Sequence, residues 1–276
     1  MFPSFLLSLR EGLEAALIIG IILGALGKLR QDELKPVVWR GVGVAVMLSL
    51  VVGIGLNLLG MELGGQLEEA FEGIAMLLAA AILTWMILWM QSQGGKMQRD
   101  IEAKTTQAAL KRGGSALFIL AFLAVFREGI ELALFLIAAR MASSPTETVV
   151  GAVIGLGAAI ALGWMIFSTT RRLNLRHFFQ VTNVLLFFFA AGLVALGIHE
   201  LNEAGWVPAI VENLWDINFI LDDKSEVGEI LKALFGYNGN PSLSEVISYL
   251  GYFTILGTIL LRNQRNQFKA GTIPAQ

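Results

Sequence analysis

The chain of 276 residues contains no cysteine and only two histidines. That excludes disulfides, thiolate metal centres and Cys/His zinc sites, so any metal must be held mainly by oxygen. Charge is scarce as well: Asp, Glu, Lys and Arg supply 15% of residues, against 55% hydrophobic. The mean hydropathy of +0.68 is well above that of a water-soluble domain of this size. A bilayer is the expected solvent. The formal charge of −2 offers none of the concentrated basic face that a nucleic-acid partner needs. No phosphate-binding glycine loop with its lysine is present, so direct drive by ATP is not indicated, and the scattered methionines form no copper-like cluster. The first segment lacks the basic n-region of a signal peptide and carries Arg10, Glu11 and Glu14 where an apolar run would belong. It reads as a retained helix.

Crossing ~30 Å of hydrocarbon takes about 20 apolar residues. Such stretches occur near 5–27, 37–59, 71–91, 115–139, 148–170 and 178–200, with a shorter seventh near 244–262 that opens on Ser244, Glu245 and Ser248. The expected fold is therefore an all-α integral membrane protein of seven helices. Orientation follows from lysine and arginine in the connections. Fifteen of them fall on one side: Lys28, Arg30, Lys35 and Arg40; Lys96, Arg99, Lys104, Lys111 and Arg112; Arg171, Arg172 and Arg176; Arg262, Arg265 and Lys269. The other side holds only Arg140, Lys224 and Lys232. This places the N-terminus outside and the C-terminus inside. The external connection 201–243 is expected to contain an amphipathic helix from Asp223, as N-cap, to Gly236 as its stop, and Trp206 and Trp215 could rest at the membrane interface.

An internal repeat underlies this order. Aligning 5–17, FLLSLREGLEAAL, with 122–134, FLAVFREGIELAL, gives eight identities in thirteen positions. Three spans separate the copies, so the second enters the membrane from the opposite face, which is the inverted-repeat plan of many transporters. The chain then divides into 1–91, a first three-helix repeat; 92–114, a cytoplasmic connection; 115–200, a second three-helix repeat; 201–243, the external loop; and 244–276, the seventh helix with a cytoplasmic tail. Gly20-xxx-Gly24 and Gly151-xxx-Gly155 read as helix packing.

Each repeat carries Arg-Glu-Gly-x-Glu: Arg10, Glu11, Gly12 and Glu14, then Arg127, Glu128, Gly129 and Glu131. Glutamates three apart share a helix face, and the arginine four before the second lies near it. At ~3 kcal/mol apiece, six such charges would cost roughly 18 kcal/mol against lipid, so they must face one another or a wet cavity. Glu14 and Glu128 are each thirteen residues from the predicted cytoplasmic ends, ~20 Å at 1.5 Å per residue. Antiparallel helices would then set Glu14 beside Glu128 and Glu11 beside Glu131, with Gly12 and Gly129 admitting close approach of the two backbones. A buried ion pair fixing register needs one carboxylate per arginine; each motif supplies two. The surplus calls for a counter-cation or bound protons, and carboxylate oxygen suits hard ions. Glu68, Glu69, Glu72, His199, Glu200 and Glu203 form a candidate outer vestibule, where negative lining raises local cation concentration.

These motifs resemble those of the high-affinity iron permease family of fungi and bacteria. The doubled REGLE/REGIE carries its Arg-Glu-x-x-Glu signature, and EGIAMLLAAAILTWMILWM (72–90) and GIHELNEAGW (197–206) are similar to its third and sixth spans. The short chain and compact loops point to the bacterial, Efe-type members. The resemblance implies multi-pass placement in the plasma (inner) membrane and iron as transported substrate, with no organic cofactor. It also implies Glu11, Glu14, Glu128 and Glu131 as the iron-carrying positions, supported by Arg10, Gly12, Arg127 and Gly129. Family members depend on a ferroxidase or extracytoplasmic iron-handling partner that oxidises Fe2+ to Fe3+ before or during transport. A proton-coupled or other divalent-cation transporter would use the same glutamates. A membrane di-iron oxidase would add Glu-x-x-His pairs, and neither His177 nor His199 stands in one, so no enzyme is expected.

Overall fold

The computed structural model describes residues 1–62, 64–93, 97–111, 113–168, 175–223 and 225–270. Lys96, Arg112, Arg171, Arg172 and Lys224 of the charge pattern lie outside them, as do the end of the fifth expected span and the last six residues. The chain is all helical, with 84% of residues in helix and no strand among those described. The α-helices are α1 Phe2–Lys28, α2 Lys35–Glu62, α3 Gln66–Gln93, α4 Met97–Lys111, α5 Gly114–Met141, α6 Pro145–Ser168, α7 Leu175–Glu203, α8 Glu226–Phe235 and α9 Leu243–Ala270. By length and composition, α2, α3, α6, α7 and α9 can cross a membrane. α1 and α5 are as long, with 27 and 28 residues, but the three charges of the motif interrupt the apolar run of each.

The helices pair in a regular way: α1 packs chiefly on α6, α2 on α5, α3 on α7, and α1 also crosses α5. Small residues every fourth position make the first two pairings. On α6 the stripe is Gly151, Gly155, Ala159 and Gly163. A Cβ added to Gly155 would lie 2.5 Å from the Phe5 carbonyl oxygen, and one on Gly163 would lie 2.9 Å from Ala16 Cβ. On α2 the stripe is Gly41, Ala45, Ser49 and Gly53; a Cβ on Gly41 would lie 2.7 Å from the Phe118 carbonyl oxygen of α5. Removing side chains at these places lets backbones approach, which is how helices gain dispersion contact where lipid supplies no hydrophobic drive. Of the other glycine pair, Gly20 receives the Phe167 ring while Gly24 meets nothing within 4 Å, so only its first member packs.

A larger apolar cluster, with Met76, Leu83, Met86, Phe135, Leu186 and Phe189 among its members, joins α3, α5 and α7 to α9. α9 starts on a reciprocal capping box: Glu245 N–H donates to Ser242 Oγ at 3.3 Å and Ser242 N–H to Glu245 Oε1 at 3.0 Å.

Two parts of the chain depart from the expected plan. The connection after α3 contains α4, a polar helix of good helix formers that lays Thr105, Ala108 and Ala109 against the bundle and bonds Lys28 Nζ to Glu102 at 2.7 Å. In the long loop, α8 is capped by Ser225 and not by Asp223. The Ser225 hydroxyl accepts from Gly228 N–H at 3.0 Å, while the Asp223 N–H is held in the preceding turn by Asn218 Oδ1 at 3.2 Å. Gly236 stops α8 as expected, at φ 67°. There it meets Gly192 backbone to backbone, since a Cβ on Gly192 would lie 2.5 Å from Gly236 N. Gly192 is eleven residues before the end of α7, or ~16 Å along it, so the loop folds back along the bundle and α8 does not lie across its end. Trp206 and Trp215 are exposed.

The stripe on α6 supplies its own control. Gly155→Ala forces a Cβ against backbone that cannot yield and is expected to destabilise the purified protein by about 1–3 kcal/mol. Gly157→Ala, two residues on and facing open space, is expected to be neutral or slightly stabilising. Thermal unfolding of the two variants in detergent measures the difference; equal midpoints would show that the α1–α6 contact does not need glycine.

Candidate functional site

The two motifs meet where α1 crosses α5. Glu11, Glu128 and Glu131 are buried and offer carboxylate oxygens that all lie within 4.8 Å of one another. Both oxygens of Glu11 and one each of Glu128 and Glu131 have no hydrogen-bond partner. Unsatisfied carboxylate oxygen at such density is costly unless a cation or bound protons offset it, and the three side chains lie close enough together to hold a metal ion. Glu14 is buried too, but belongs to Arg10, whose Nε lies 3.3 Å from it. The pairs expected from depth are close enough to feel each other's charge, Glu14 with Glu128 and Glu11 with Glu131, while the tightest oxygen cluster joins Glu11 to both glutamates of the second motif.

The arginines differ in the same sense. Arg10 is fully buried, 3.6 Å from Glu11 and 3.3 Å from Glu14, and its Nη2 donates to Met90 Sδ at 3.3 Å. Arg127 is 40% exposed and donates from Nε to Glu131 Oε1 at 2.8 Å. Its guanidinium lies over Trp89 at 5.3 Å and Trp85 at 6.0 Å from the ring centroids, a cation–π arrangement. Both arginines thus turn toward the second half of α3.

Gly12 and Gly129 do not admit one another, contrary to expectation. A Cβ on Gly12 would lie 2.7 Å from Ala159 Cβ of α6, and one on Gly129 would lie 2.7 Å from Ser49 Cβ of α2. At 100° per residue, a glycine just after the first glutamate points to the side of the face that the glutamates share. It therefore admits the flanking helix.

From the carboxylates a cavity of about 840 Å³ extends between α2, α5 and α6. Its lining is chiefly apolar, with residues such as Leu50, Ile54, Val149 and Val153 that are themselves exposed on the outer surface of the bundle; the polar groups along it run from Glu11, Glu128 and Ser49 to Asn57, Arg140 and Thr148, where α2 and α5 end and α6 begins. Arg140 Nη1 donates to Asn57 Oδ1 across that end. On the other side of the motifs an apolar cluster, including Ile18, Ile22, Leu26, Val42 and Leu117, fills the space between α1, α2 and α5.

The candidate vestibule residues lie apart from this cavity. Glu68 is exposed, while Glu69, Glu72, His199 and Glu200 are partly buried and Glu203 is exposed. Glu72 and Glu200 lie close enough to feel each other's charge, beside the tight contact of Gly73 with Gly197. His199 is committed elsewhere: Nδ1 lies 3.0 Å from Glu245 Oε1 and Nε2 3.4 Å from Glu203. Glu245, which also accepts from Asn238 Nδ2 at 2.9 Å, ties α7, the long loop and α9 together. Ser49, Asn57, Thr148, Trp85, Trp89 and Glu245 were not marked by the sequence. Small-residue spacing along α2 and the Trp85-xxx-Trp89 spacing along α3 were the available signals.

The sequence profile of the iron permease FTR1 family matches residues 1–264. The ferrous iron permease EfeU of Escherichia coli O6:K15:H31 is 39% identical over 258 residues, covering 91% of this chain and 92% of that protein, and the same figures hold for the EfeU of Shigella sonnei. The Yersinia pestis EfeU is 37% identical over 254 residues, 91% and 90% of the two chains. No solved structure matches the chain. These relatives are named as transporters, not enzymes, and several apolar helices with that kinship describe a multi-pass membrane protein. With a match across nearly its whole length, the chain belongs to the iron permease FTR1 family.

Proposed function

We propose that this chain imports iron across the plasma (inner) membrane, passing it through the carboxylates of Glu11, Glu128 and Glu131, with Glu14 held beside them by Arg10. The observation that carries the proposal is the buried triad with carboxylate oxygens within 4.8 Å of one another, four of whose six oxygens lack hydrogen-bond partners. Four glutamates against two arginines leave the motifs formally two charges negative, and a hard cation both balances them and uses the orphaned oxygens. Partial cancellation by arginine keeps the site from becoming a trap, since a carrier must also release its ion.

In this proposal all seven long helices cross the bilayer, with the N-terminus outside and the C-terminus inside. α1–α3 and α5–α7 are inverted repeats, and α9 is added to them. The pairing supports this: exchanging the repeats turns the α1–α6 contact into the α5–α2 contact and maps α1–α5 and α3–α7 onto themselves. The cavity then opens outward and the apolar cluster around Ile22 and Leu117 closes the cytoplasmic path. Rocking one repeat against the other about the fixed carboxylates would open the opposite side. The outer acidic residues, Glu68, Glu69, Glu72, Glu200 and Glu203, gather cations by charge, and His199, paired with Glu245 and Glu203, holds the ends of the helices together beside them.

Carboxylate oxygen without sulfur suits the harder of the two ions, so the species carried is proposed to be Fe3+, made from Fe2+ by a separate ferroxidase partner. The relatives are named for ferrous iron, so the decisive assay presents both states. In liposomes with the purified chain, Fe3+ chelate is expected to enter without a partner, and Fe2+ under strictly anaerobic conditions to enter much more slowly. Faster anaerobic Fe2+ entry would overturn the oxidised-cargo proposal.

Glu11→Gln, Glu128→Gln and Glu131→Gln keep shape while removing a hard anionic ligand. Each variant is expected to insert normally, a neutral amide being cheaper at depth than a carboxylate. Radio-iron uptake at matched expression should fall by well over tenfold, because ~1.4 kcal/mol of lost binding already gives a factor of ten. Glu33→Gln in the exposed turn before α2 should change little. Normal uptake by all three motif variants would remove the triad from the transport path.

The absence of cysteine makes orientation directly measurable. Thr146→Cys, at the start of α6, is expected to react with a membrane-impermeant maleimide in right-side-out vesicles. Ala103→Cys, on the exposed face of α4, should react only after permeabilisation. The reverse pattern would invert the topology.

A further inference from the structure

Six helix hydroxyls, those of Thr84, Thr105, Thr106, Thr182, Ser248 and Thr254, donate to the carbonyl four residues earlier in their own helix, and Ser143 and Thr148 do the same around the turn between α5 and α6. This local bond is the usual way for serine and threonine to satisfy themselves in an apolar setting. Ser49 of α2 and Ser8 of α1 have no hydrogen-bond partner at all; Ser8 is fully buried where α6 packs on it at Gly155, whereas Ser49 borders a cavity. Ser49 is 8% exposed, and the cavity is the one that Glu11 and Glu128 line. Gly129, between Glu128 and the rest of its motif, lies directly beneath it, where a Cβ would strike the Ser49 hydroxyl.

The other half of the molecule shows what packing alone requires here. The α2 stripe Gly41, Ala45, Ser49, Gly53 and the α6 stripe Gly151, Gly155, Ala159, Gly163 occupy matching places, so Ser49 sits on Gly129 as Ala159 sits on Gly12. A methyl group fills that position. The hydroxyl is an addition to the packing, buried, unbonded and on the wall of the cavity that Glu11 and Glu128 also line.

We infer that Ser49 Oγ is a neutral oxygen ligand of the transported cation, completing with Glu11 and Glu128 a site that the glutamates of the two motifs do not complete alone. This rests on the proposed carboxylate site and assigns it a further residue. A neutral donor raises the number of oxygens around a hard ion without adding charge, and so strengthens coordination while leaving the ion free to depart. Because the matching residue of the other repeat is alanine, the hydroxyl also makes the site one-sided: the ion gains this ligand only from α2.

The test uses the full chain in nanodiscs, with iron binding measured by equilibrium dialysis for Fe3+ supplied as citrate and for anaerobic Fe2+. Ser49→Ala is the variant that Ala159 shows to pack. It is expected to unfold at the parental temperature and to bind the transported state of iron about three- to tenfold more weakly, the range for losing one neutral oxygen contact. Ser49→Cys introduces the chain's single thiol, a soft donor, and should shift preference from iron toward Cd2+. Cd2+ should also slow thiol modification by a small methanethiosulfonate, and that protection should disappear when Glu128→Gln is added. A purely structural role for Ser49 predicts no change in selectivity and no protection. Parental iron binding by Ser49→Ala alongside loss in Glu128→Gln would overturn the Ser49 assignment alone. Parental binding by both variants would overturn the carboxylate site on which it rests, and weakened binding by Ser49→Ala with parental binding by Glu128→Gln would separate Ser49 from that site and overturn the inference as well.

Discussion

Anionic oxygen crowded at the α1–α5 crossing is the constraint around which the molecule is arranged. Three carboxylates with oxygens within 4.8 Å repel one another, and burial denies them the water that would screen the repulsion. Two arginines offset part of this, each held from behind: Arg10 by complete burial and the Met90 sulfur, Arg127 by the faces of Trp85 and Trp89. Both supports come from α3, which contributes no carboxylate to the cluster. Helices that touch no ion thus determine how much negative charge remains for one.

The small-residue stripes on α2 and α6 answer the mechanical half of the same problem. Bringing charged faces together requires α1 and α5 to be clamped from outside, and in lipid the clamp must come from close backbone contact. Each motif has its glycine where the clamping helix arrives, Ala159 on Gly12 and Ser49 on Gly129. The motif pattern Arg-Glu-Gly-x-Glu therefore encodes two faces of one helix. Its charged positions address the opposite motif, and its glycine addresses the neighbour.

Much of this was legible in the sequence. Apolar run length marked all seven long helices, because hydrocarbon thickness imposes a minimum length that solvent-exposed segments do not share. The doubled motif marked Glu11, Glu128 and Glu131, because surplus charge in an apolar run has few explanations. The depth count set Glu14 near Glu128 and Glu11 near Glu131, which feel each other's charge, but it treats side chains as points at their Cα height and so did not single out Glu11, Glu128 and Glu131 as the tightest cluster. The count gave the glycines the wrong neighbour because it compared heights and ignored azimuth. α4 was missed because a polar helix that packs through Thr105, Ala108 and Ala109 has no hydropathy signal. The capping start of α8 was misplaced by two residues because Asp223 and Ser225 are both good N-caps, and a tertiary bond from the Asp223 N–H to Asn218 decides between them.

The departures from two-fold likeness indicate how an inverted repeat could come to favour one of its two states over the other. Two identical halves would give outward- and inward-facing states of equal energy, with the same ligands in each. Here one arginine is sealed and the other is 40% exposed, and one motif glycine lies under a methyl and the other under a hydroxyl. α9 and α8 pack on α7, with no third helix pair to balance them on α3. Each difference removes the likeness of the two halves, so the two states need not be equal in energy. In the proposed cycle the carboxylates stay in place while the apolar cluster and the cavity exchange roles. The residues that break the symmetry, and not the glutamates that nearly obey it, would then set the relative stability of the two states and the affinity for the ion in each.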